Sequence, residues 1–489
     1  MGSSSLPTCW ARVPTSSRRR SIPRSPRRRA RSLAGIPTRP ARSPRDPRRN
    51  DAPSFPFSPR WGRPWPPLRG EGIMIHRVFP GWWVVAGTFV VLGVGFGIAY
   101  SFSSFFLPLQ EKFAARRGEI SLVFSIAGAL YFSLGLVAGA IADRFGPRLV
   151  VGGGMALVAL GTFAASQADT LWQVFAGYGL GVGVGMGAAY VPAVAALQRW
   201  FNRKRGLATG IAVSGIGIGT LAGPPLAKLL IDSVGWRGAW IGLASIALAA
   251  ALFSIVTIRR SPETYGLRPD GDAAPPASAG PTPPASGDSL REAMRLPVFW
   301  LLFAACATYS FGLFTPFVHL VPYARDVGHG EAFGVSLIML LGVGSTLGRF
   351  VFAGIADRIG RRRMYALSIL GSCPALLLWA STSHWLALVI FATLFGALYG
   401  GFVAMAPSVM ADYFGTKAVG SILGAQYASV AVGILVGPPA AGWIFDATQS
   451  YTVAIVASAG LALAAGLTVL FCPEPSAHRA RRLGMEFSR

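Results

Sequence analysis

From residue 82 to residue 471 the chain alternates between long apolar runs and short polar breaks, and the apolar run recurs twelve times. The runs fall at roughly 82–106, 120–142, 149–167, 171–197, 207–231, 236–258, 298–322, 333–356, 364–382, 385–411, 418–445 and 451–471. Each approaches or exceeds the ~20 residues needed for a helix to cross a hydrocarbon core of about 30 Å. Lipid offers no hydrogen-bond partners, so a single spanning segment must satisfy its backbone internally as a helix. The pattern therefore predicts an all-α membrane protein of twelve transmembrane helices. A soluble protein holds a few all-apolar helices at most, and a series of twelve has no place in water.

The polar breaks alternate in charge. One set carries Arg144, Arg148, Arg199, Arg203, Lys204, Arg205, Arg259, Arg260, Arg268, Arg291, Arg295, Arg358, Arg361–Arg363, Lys417 and the tail arginines, twenty cations in all. The other carries six: Lys112, Arg116, Arg117, Lys228, Arg237 and Arg325. The positive-inside rule assigns the richer set, and with it both termini, to the cytoplasm. Two termini on one side require an even number of spans, an independent check on the count. The expected location is the cell inner (plasma) membrane.

The spans form two halves. Asp143-Arg144-Phe145-Gly146 returns as Asp357-Arg358-Ile359-Gly360, Gly223-Pro224-Pro225 as Gly437-Pro438-Pro439, and Asp232 as Asp446, each at an offset of 214 positions. Three unrelated features at one offset mark an internal repeat. Parallel repeats of this kind build transporters whose site lies between the halves near the bilayer midplane. The expected organisation is a basic tail (1–73), a first six-helix half (74–258), a Pro/Ala/Gly-rich cytoplasmic linker (259–296), a second half (297–472) and a cytoplasmic tail (473–489).

Composition agrees: 52% of the 489 residues are apolar and 13% charged, against about 25% charged in soluble domains. The net charge of +25 misleads, because residues 1–73 hold seventeen Arg against three acids and supply +14 of it. That Arg/Pro/Ser-rich stretch cannot bury enough apolar surface to fold and lacks a secretory apolar core. A lipid-touching basic tail, an organellar transit peptide and a start codon placed too far upstream compete as explanations. The last is preferred, because Met74 stands just before the first span. Nucleic-acid binding rests on charge alone, with no aromatic interleaving to support it. The cysteines, Cys9, Cys306, Cys373 and Cys472, are too scattered for a metal site or disulfide framework. No nucleophile–base constellation or phosphate loop is present, so neither an enzyme nor a cofactor is expected.

Residues Gly139 to Arg148, Gly-Ala-Ile-Ala-Asp-Arg-Phe-Gly-Pro-Arg, resemble the signature loop between helices 2 and 3 of the major facilitator superfamily. A second copy around Asp357 keeps the Asp-Arg-x-Gly-Arg core, its upstream glycine one place later at Gly354. The resemblance covers residues 77 to about 472. It implies that Asp143, Arg144, Asp357 and Arg358 latch the halves on the cytoplasmic side during alternating access. Topology and folding alone are the competing role for them. A carboxylate beside a helix N-terminus is also favoured by roughly 0.3–1 kcal/mol. Within the superfamily, Gly81-Trp82-Trp83-Val84-Val85, Arg199-Trp200-Phe201 with Arg205-Gly206-Leu207-Ala208, and Gly348-Arg349 are similar to the monocarboxylate and oxalate–formate transporters.

Arg349 is the sharpest candidate. It lies eight residues before Asp357, about 12 Å into a core of ~15 Å half-thickness. An arginine there costs at least about 2.5–3.5 kcal/mol, and no acid lies within the core of any span to pair with it. Its planar fork matches a carboxylate in two parallel hydrogen bonds. The resemblance likewise implies that it binds the substrate carboxylate. The alternative is bonding to backbone carbonyls at a helix break. Tyr190, Tyr309, Gln426 and Tyr427 lie at similar depth as further substrate-binding candidates, each of which could equally be a packing residue. His319, near the outer end of helix 7, is a candidate proton-linked gate or a satisfied structural histidine. The alternate glycines from Gly177 to Gly187 read as close helix packing, and the Gly-Pro-Pro copies as helix bends.

The family pattern is departed from in two places. Helix 11 has no cation after Lys417, where oxalate exchangers carry a lysine, so one carboxylate fits better than two. Helix 1 has no lysine between Trp82 and Phe106, and the position four residues before Arg349 is Ser345. Animal monocarboxylate transporters carry a proton-linked lysine and acid at those places, which leaves proton symport in doubt and anion exchange open. The expected function is secondary active transport of a small organic anion, a monocarboxylate, by a lipid-embedded monomer coupled to a proton or counter-anion. A drug or solute efflux antiporter and a non-transporting membrane sensor are the rivals.

Overall fold

The computed structural model describes residues 79–265, 267–271, 287–415 and 417–476. The basic segment 1–73, linker residues 272–286 and the tail beyond residue 476 lie outside the described residues, as do the side chains of Asp143, Arg205 and Asp357.

The described residues between the short linker turns are helical. The spans are α1 Gly81–Phe113, α2 Arg117–Phe145, α3 Pro147–Ser166 and α4 Leu171–Trp200, then a continuous run Arg205–Thr257. After the linker come α7 Pro297–Asp326, α8 Glu331–Ile359, α9 Arg361–Ser381, α10 Trp385–Phe414, α11 Val419–Thr448 and α12 Thr452–Phe471. Among the described residues, eleven helices are long and apolar enough to cross a membrane, and one of them runs for 52 residues. At 1.5 Å per residue that helix would be about 78 Å long, more than twice the core thickness. It breaks at Gly235 (φ 72°, ψ 168°), which divides it into α5 (205–234) and α6 (236–257) and brings the crossings to twelve. The helices overrun the expected spans, α1 by seven residues to Phe113, because helical hydrogen bonding continues past the apolar stretch into water.

Both copies of the repeated loop turn in the same way. Gly146 (φ 91°, ψ 142°) ends α2 and Gly360 (φ 92°, ψ 139°) ends α8. These backbone conformations disfavour any residue with a Cβ, which accounts for the glycine in each copy.

Small residues set the helix spacing. A Cβ on Gly219 would come 2.1 Å from the Gly93 carbonyl, locking α5 to α1, and one on Gly348 would come 2.0 Å from the Ala397 carbonyl, locking α8 to α10. The alternate glycines of α4 face two neighbours. Gly177, Gly181 and Gly185 abut α3 at Gly161 and Gly154, while Gly183 and Gly187 abut α2 at Ala127 and Leu134. Two residues advance a helix by about 200°, so glycine at every second place thins α4 on opposite sides. The stretch Phe175–Val182 is wound as a π-helix.

The first half meets the second along α2–α11 and α5–α8. Toward the cation-poor end both contacts are tight: a Cβ on Gly442 would lie 2.6 Å from the Gly118 nitrogen, and one on Gly342 2.7 Å from the Leu221 nitrogen. Toward the arginine-rich end they part. Gly210, two turns from Gly217 on α5, and Gly420, two turns from Tyr427 on α11, have nothing within 4 Å of an added Cβ. The space between the halves therefore opens toward the arginine-rich end and closes at the other.

Candidate functional site

Arg349 stands at the inner end of that space, 7% exposed. Gly344 and Gly348 draw α10 against α8, which directs the arginine across to the first half. Its Nη1 donates to the Val213 carbonyl of α5 at 2.6 Å. Nη2 reaches only Ser345 Oγ at 3.5 Å, and the buried Nε has no partner. Among the described residues no carboxylate pairs with it. The alternative of a backbone-bonded arginine thus holds for one nitrogen, while on the Nε–Nη2 edge Nε has no partner and Nη2 has only the long contact to Ser345.

Tyrosines from both halves, Tyr100 and Tyr190 of the first and Tyr399 and Tyr427 of the second, lie in the neighbourhood of Arg349. Tyr100 of α1 and Tyr399 of α10 are hydrogen-bonded to each other at 2.9 Å, and Tyr100 stacks on Phe317 of α7 at 4.6 Å between centroids. Tyr190 of α4 faces Tyr427 of α11 at 6.5 Å. Phe96 lies edge-on to Tyr190 and Tyr131, and Phe132 tilts against Tyr427. Phe132, Tyr190 and Tyr427 are half-buried, while Tyr100, Tyr131 and Tyr399 are buried.

Of the candidates read from the sequence, Tyr190 and Tyr427 join Arg349 here. Tyr309 does not: its hydroxyl bonds Ser372 Oγ of α9 at 2.8 Å and its ring packs edge-on to Phe402. Gln426 is buried, with neither amide atom partnered. It shares a stripe of α11 with Gly433, which abuts Ser310 of α7. Arg144 and Arg358 are exposed at the arginine-rich end. Sequence reasoning missed Tyr100, Tyr131 and Tyr399, although their depth in apolar spans is the signal that selected Tyr190.

His319 belongs to a second constellation, which seals the cation-poor end. Its ring is fully buried, with Nδ1 3.0 Å from Tyr451 Oη and Nε2 2.9 Å from the Pro438 carbonyl and 3.2 Å from Ser121 Oγ. A carbonyl can only accept, so Nε2 carries a proton; in the neutral ring Nδ1 would then accept from Tyr451. Arg117, the first residue of α2, clasps Asp326 of α7 through both Nη atoms, donates to Tyr451 at 2.8 Å and lies 3.8 Å from the centre of the Phe445 ring. Asp446 accepts from the backbone nitrogens of Arg117 and Gly118, both at 3.1 Å, where the helix dipole favours an anion. Arg325 reaches Glu111, and Lys228 reaches Asp232 and Glu331. All these groups except Asp232 join one half to the other. Asp446 had surfaced in the sequence only as the copy of Asp232.

At the arginine-rich end, two of the three sequence motifs meet in one cluster. Phe201 packs 5.2 Å from Trp82 and 5.7 Å from Phe79, with Trp200 and Ala208 buried beside them.

The Major Facilitator Superfamily profile matches residues 88–354 and 331–487. Monocarboxylate transporter 12-B of Danio rerio is 31% identical over 415 residues, covering 80% of this chain and 86% of that protein. Monocarboxylate transporter 13 of Bos taurus is 30% identical, covering 81% and 91%. Among solved structures, a bacterial homologue of the human lysosomal transporter Spinster, in an inward-facing and unoccupied conformation, superposes with a TM-score of 0.61 at 15% identity, covering 80% of this chain and 95% of that one.

Proposed function

Because the chain belongs to the major facilitator superfamily, within its monocarboxylate transporter family, and is thus a membrane transporter and not an enzyme, we propose that it carries a small monocarboxylate by alternating access, with Arg349 as the substrate's counter-charge. The observation that carries this reading is a buried Arg349 whose Nε has no partner and whose Nη2 has only a 3.5 Å contact to Ser345, with tyrosines nearby and, among the described residues, no pairing acid. The two N–H groups on the Nε–Nη2 edge are parallel and match the two oxygens of one carboxylate. With Nη1 held by Val213, the guanidinium has one edge to offer, which favours a single carboxylate over a dicarboxylate.

Site and clamp together support a cycle. In the state described, the substrate enters from the arginine-rich side, which we assign to the cytoplasm together with both termini, in the plasma membrane. Tyr190 of the first half and Tyr427 and Arg349 of the second meet around it. Opening at the other end requires Arg117 to leave Asp326 and the α2 terminus to leave Asp446. His319 loses its partners in the same motion, which makes it the candidate for a proton-linked step. Asp143, Arg144, Asp357 and Arg358 are assigned to the latch that closes the arginine-rich end in the opposite state. The units that move are the six-helix halves 74–258 and 297–472, joined by the linker 259–296, within a monomer.

The test is uptake of labelled lactate, pyruvate, formate and oxalate into proteoliposomes, under an inward proton gradient and then with internal anion. Saturable lactate or pyruvate uptake that Arg349→Ala abolishes, in protein that still inserts and folds, is expected. Normal transport by Arg349→Ala would refute the carboxylate site. Dependence on the proton gradient or on preloaded anion decides between symport and exchange.

A further inference from the structure

We infer that Gly217 of the first half is a positioning residue for Arg349 of the second: it lets the backbone of α5 hold the guanidinium in place across the seam between the halves. The inference rests on the reading of Arg349 as the substrate's counter-charge and names what fixes its geometry.

Arg349 belongs to α8, yet its short hydrogen bond crosses to α5, from Nη1 to the Val213 carbonyl at 2.6 Å. Gly217 stands four residues after Val213. In a helix each Cβ leans toward the N-terminus, so a side chain lies over the turn before its own Cα. Glycine at 217 leaves the Val213 carbonyl uncovered on the side that meets α8, free to accept a second bond from outside its helix. Gly217 also sets the distance between the helices. A Cβ built on it would overlap Thr346 Oγ1 and come 3.4 Å from the Gly342 carbonyl. Thr346 lies three residues before Arg349, on the adjacent turn of α8.

Neither helix has room to retreat. Two residues advance a helix by roughly 200°, so Gly215 and Gly219 face the other way, where an added Cβ would overlap the Phe89 and Gly93 carbonyls of α1. On the far side of α8, a Cβ on Gly344 would overlap the Thr393 carbonyl of α10, and one on Gly400 of α10 the Ser345 carbonyl. Thr346 itself is β-branched and stiff, and its Oγ1 donates to the Gly342 carbonyl at 3.0 Å. A side chain at 217 therefore lands on α8 one turn from Arg349 and parts Nη1 from its carbonyl. With Nη1 anchored, Nε and Nη2 are presented in a fixed direction; without the anchor the long side chain takes other rotamers. A misplacement of about 1 Å in such a pair costs on the order of 100-fold. A bond that merely occupied Arg349 in the empty carrier would instead compete with the substrate, and its loss would tighten binding. The sign of the change in KM separates the two roles.

The experiment measures KM and maximal rate of lactate counterflow in proteoliposomes of the full chain. Gly217→Ala should raise KM by about tenfold or more and change the maximal rate far less, the pattern of lost binding in ground and transition state alike. Adding Thr346→Ala, which removes the atom that the new Cβ strikes, should restore most of the affinity. Thr346→Val keeps the side chain's shape, puts a methyl group where Oγ1 meets Gly217 and should raise KM a few-fold, which gives a reading even where Gly217→Ala fails to insert. An unchanged KM in these variants, or a fall in maximal rate alone, would overturn the assignment and leave Gly217 a packing glycine. A lowered KM would overturn it in favour of competition by the Val213 carbonyl. If Arg349→Ala transports normally, the carboxylate reading and this inference fall together; if Arg349→Ala is inactive while Gly217→Ala keeps its affinity, only this inference falls.

Discussion

The contact between Arg117 and Asp326 is the closure at the cation-poor end, and its removal should change which way the protein faces. Arg117 forms two hydrogen bonds to Asp326, a third to Tyr451 and a ring contact with Phe445. Its side chain is 8% exposed against 27% for Asp326, so solvent screening reduces the pair only in part. Hydrogen bonds to charged groups contribute about 1.5–3 kcal/mol each when sheltered, and less here because Asp326 is partly wet. The ring contact adds about 0.5–2 kcal/mol. Side-chain ordering and desolvation oppose these terms, and a net bias of about 2–3 kcal/mol toward closure is reasonable. At 1.4 kcal/mol per tenfold, Arg117→Ala should raise the population open at this end by roughly 30- to 150-fold. Spin labels at Lys112 and His329 across the cation-poor end, in a background without native cysteines, would report it by double electron–electron resonance. The variant should show a new longer distance there and a shorter one for labels at Arg203 and Lys417. Unchanged distributions at both ends would refute the clamp.

Two further outcomes follow from the helix contacts and the linker. Gly342→Leu places a Cβ against the Leu221 nitrogen and should prop α5 from α8 at the closed end, whereas Gly210→Leu enters open space. Gly210→Leu should therefore fold normally yet block closure of the arginine-rich end, and normal turnover by that variant would contradict alternating access through α5. Asp270 of the linker, in a left-handed conformation (φ 62°), accepts from the backbone nitrogens of Asn202, Arg203 and Lys204 at the start of α5. Burial acts to raise its carboxyl pKa, but these N–H groups outweigh burial and hold it below the usual carboxylate value. Its cap should thus be complete above the ordinary carboxylate pKa and weaken as pH falls through the lowered one. Asp270→Ala should cost on the order of 1 kcal/mol, read as faster amide exchange at residues 202–206 near neutral pH and no difference from wild type in strong acid.

Much of this protein was legible in its amino-acid order, for identifiable reasons. Run length marked the crossings, since lipid leaves the backbone one way to satisfy itself. The common offset of the Asp-Arg and Gly-Pro-Pro motifs marked the repeat, and its glycines proved to hold matching turns at Gly146 and Gly360. Arg349 was conspicuous because an ion without a partner in an apolar span is rare and costly. What the order of residues left open is which way each side chain faces. In a soluble helix the polar stripe marks the outside. A helix that meets lipid on one face and protein on the other is apolar all round, so periodicity cannot separate Tyr190, which faces the site, from Tyr309, which faces α9. The chamber also draws on helices far apart in the chain, with Tyr100 meeting Tyr399 across 299 positions. The clamp likewise joins Arg117 to Asp326, Asp446 and Tyr451. Only the folded arrangement, in which small residues bring α8 against α10 and α2 against α11, decides that these groups meet, because hydrogen bonding and charge act over a few ångströms in space and take no account of distance along the chain.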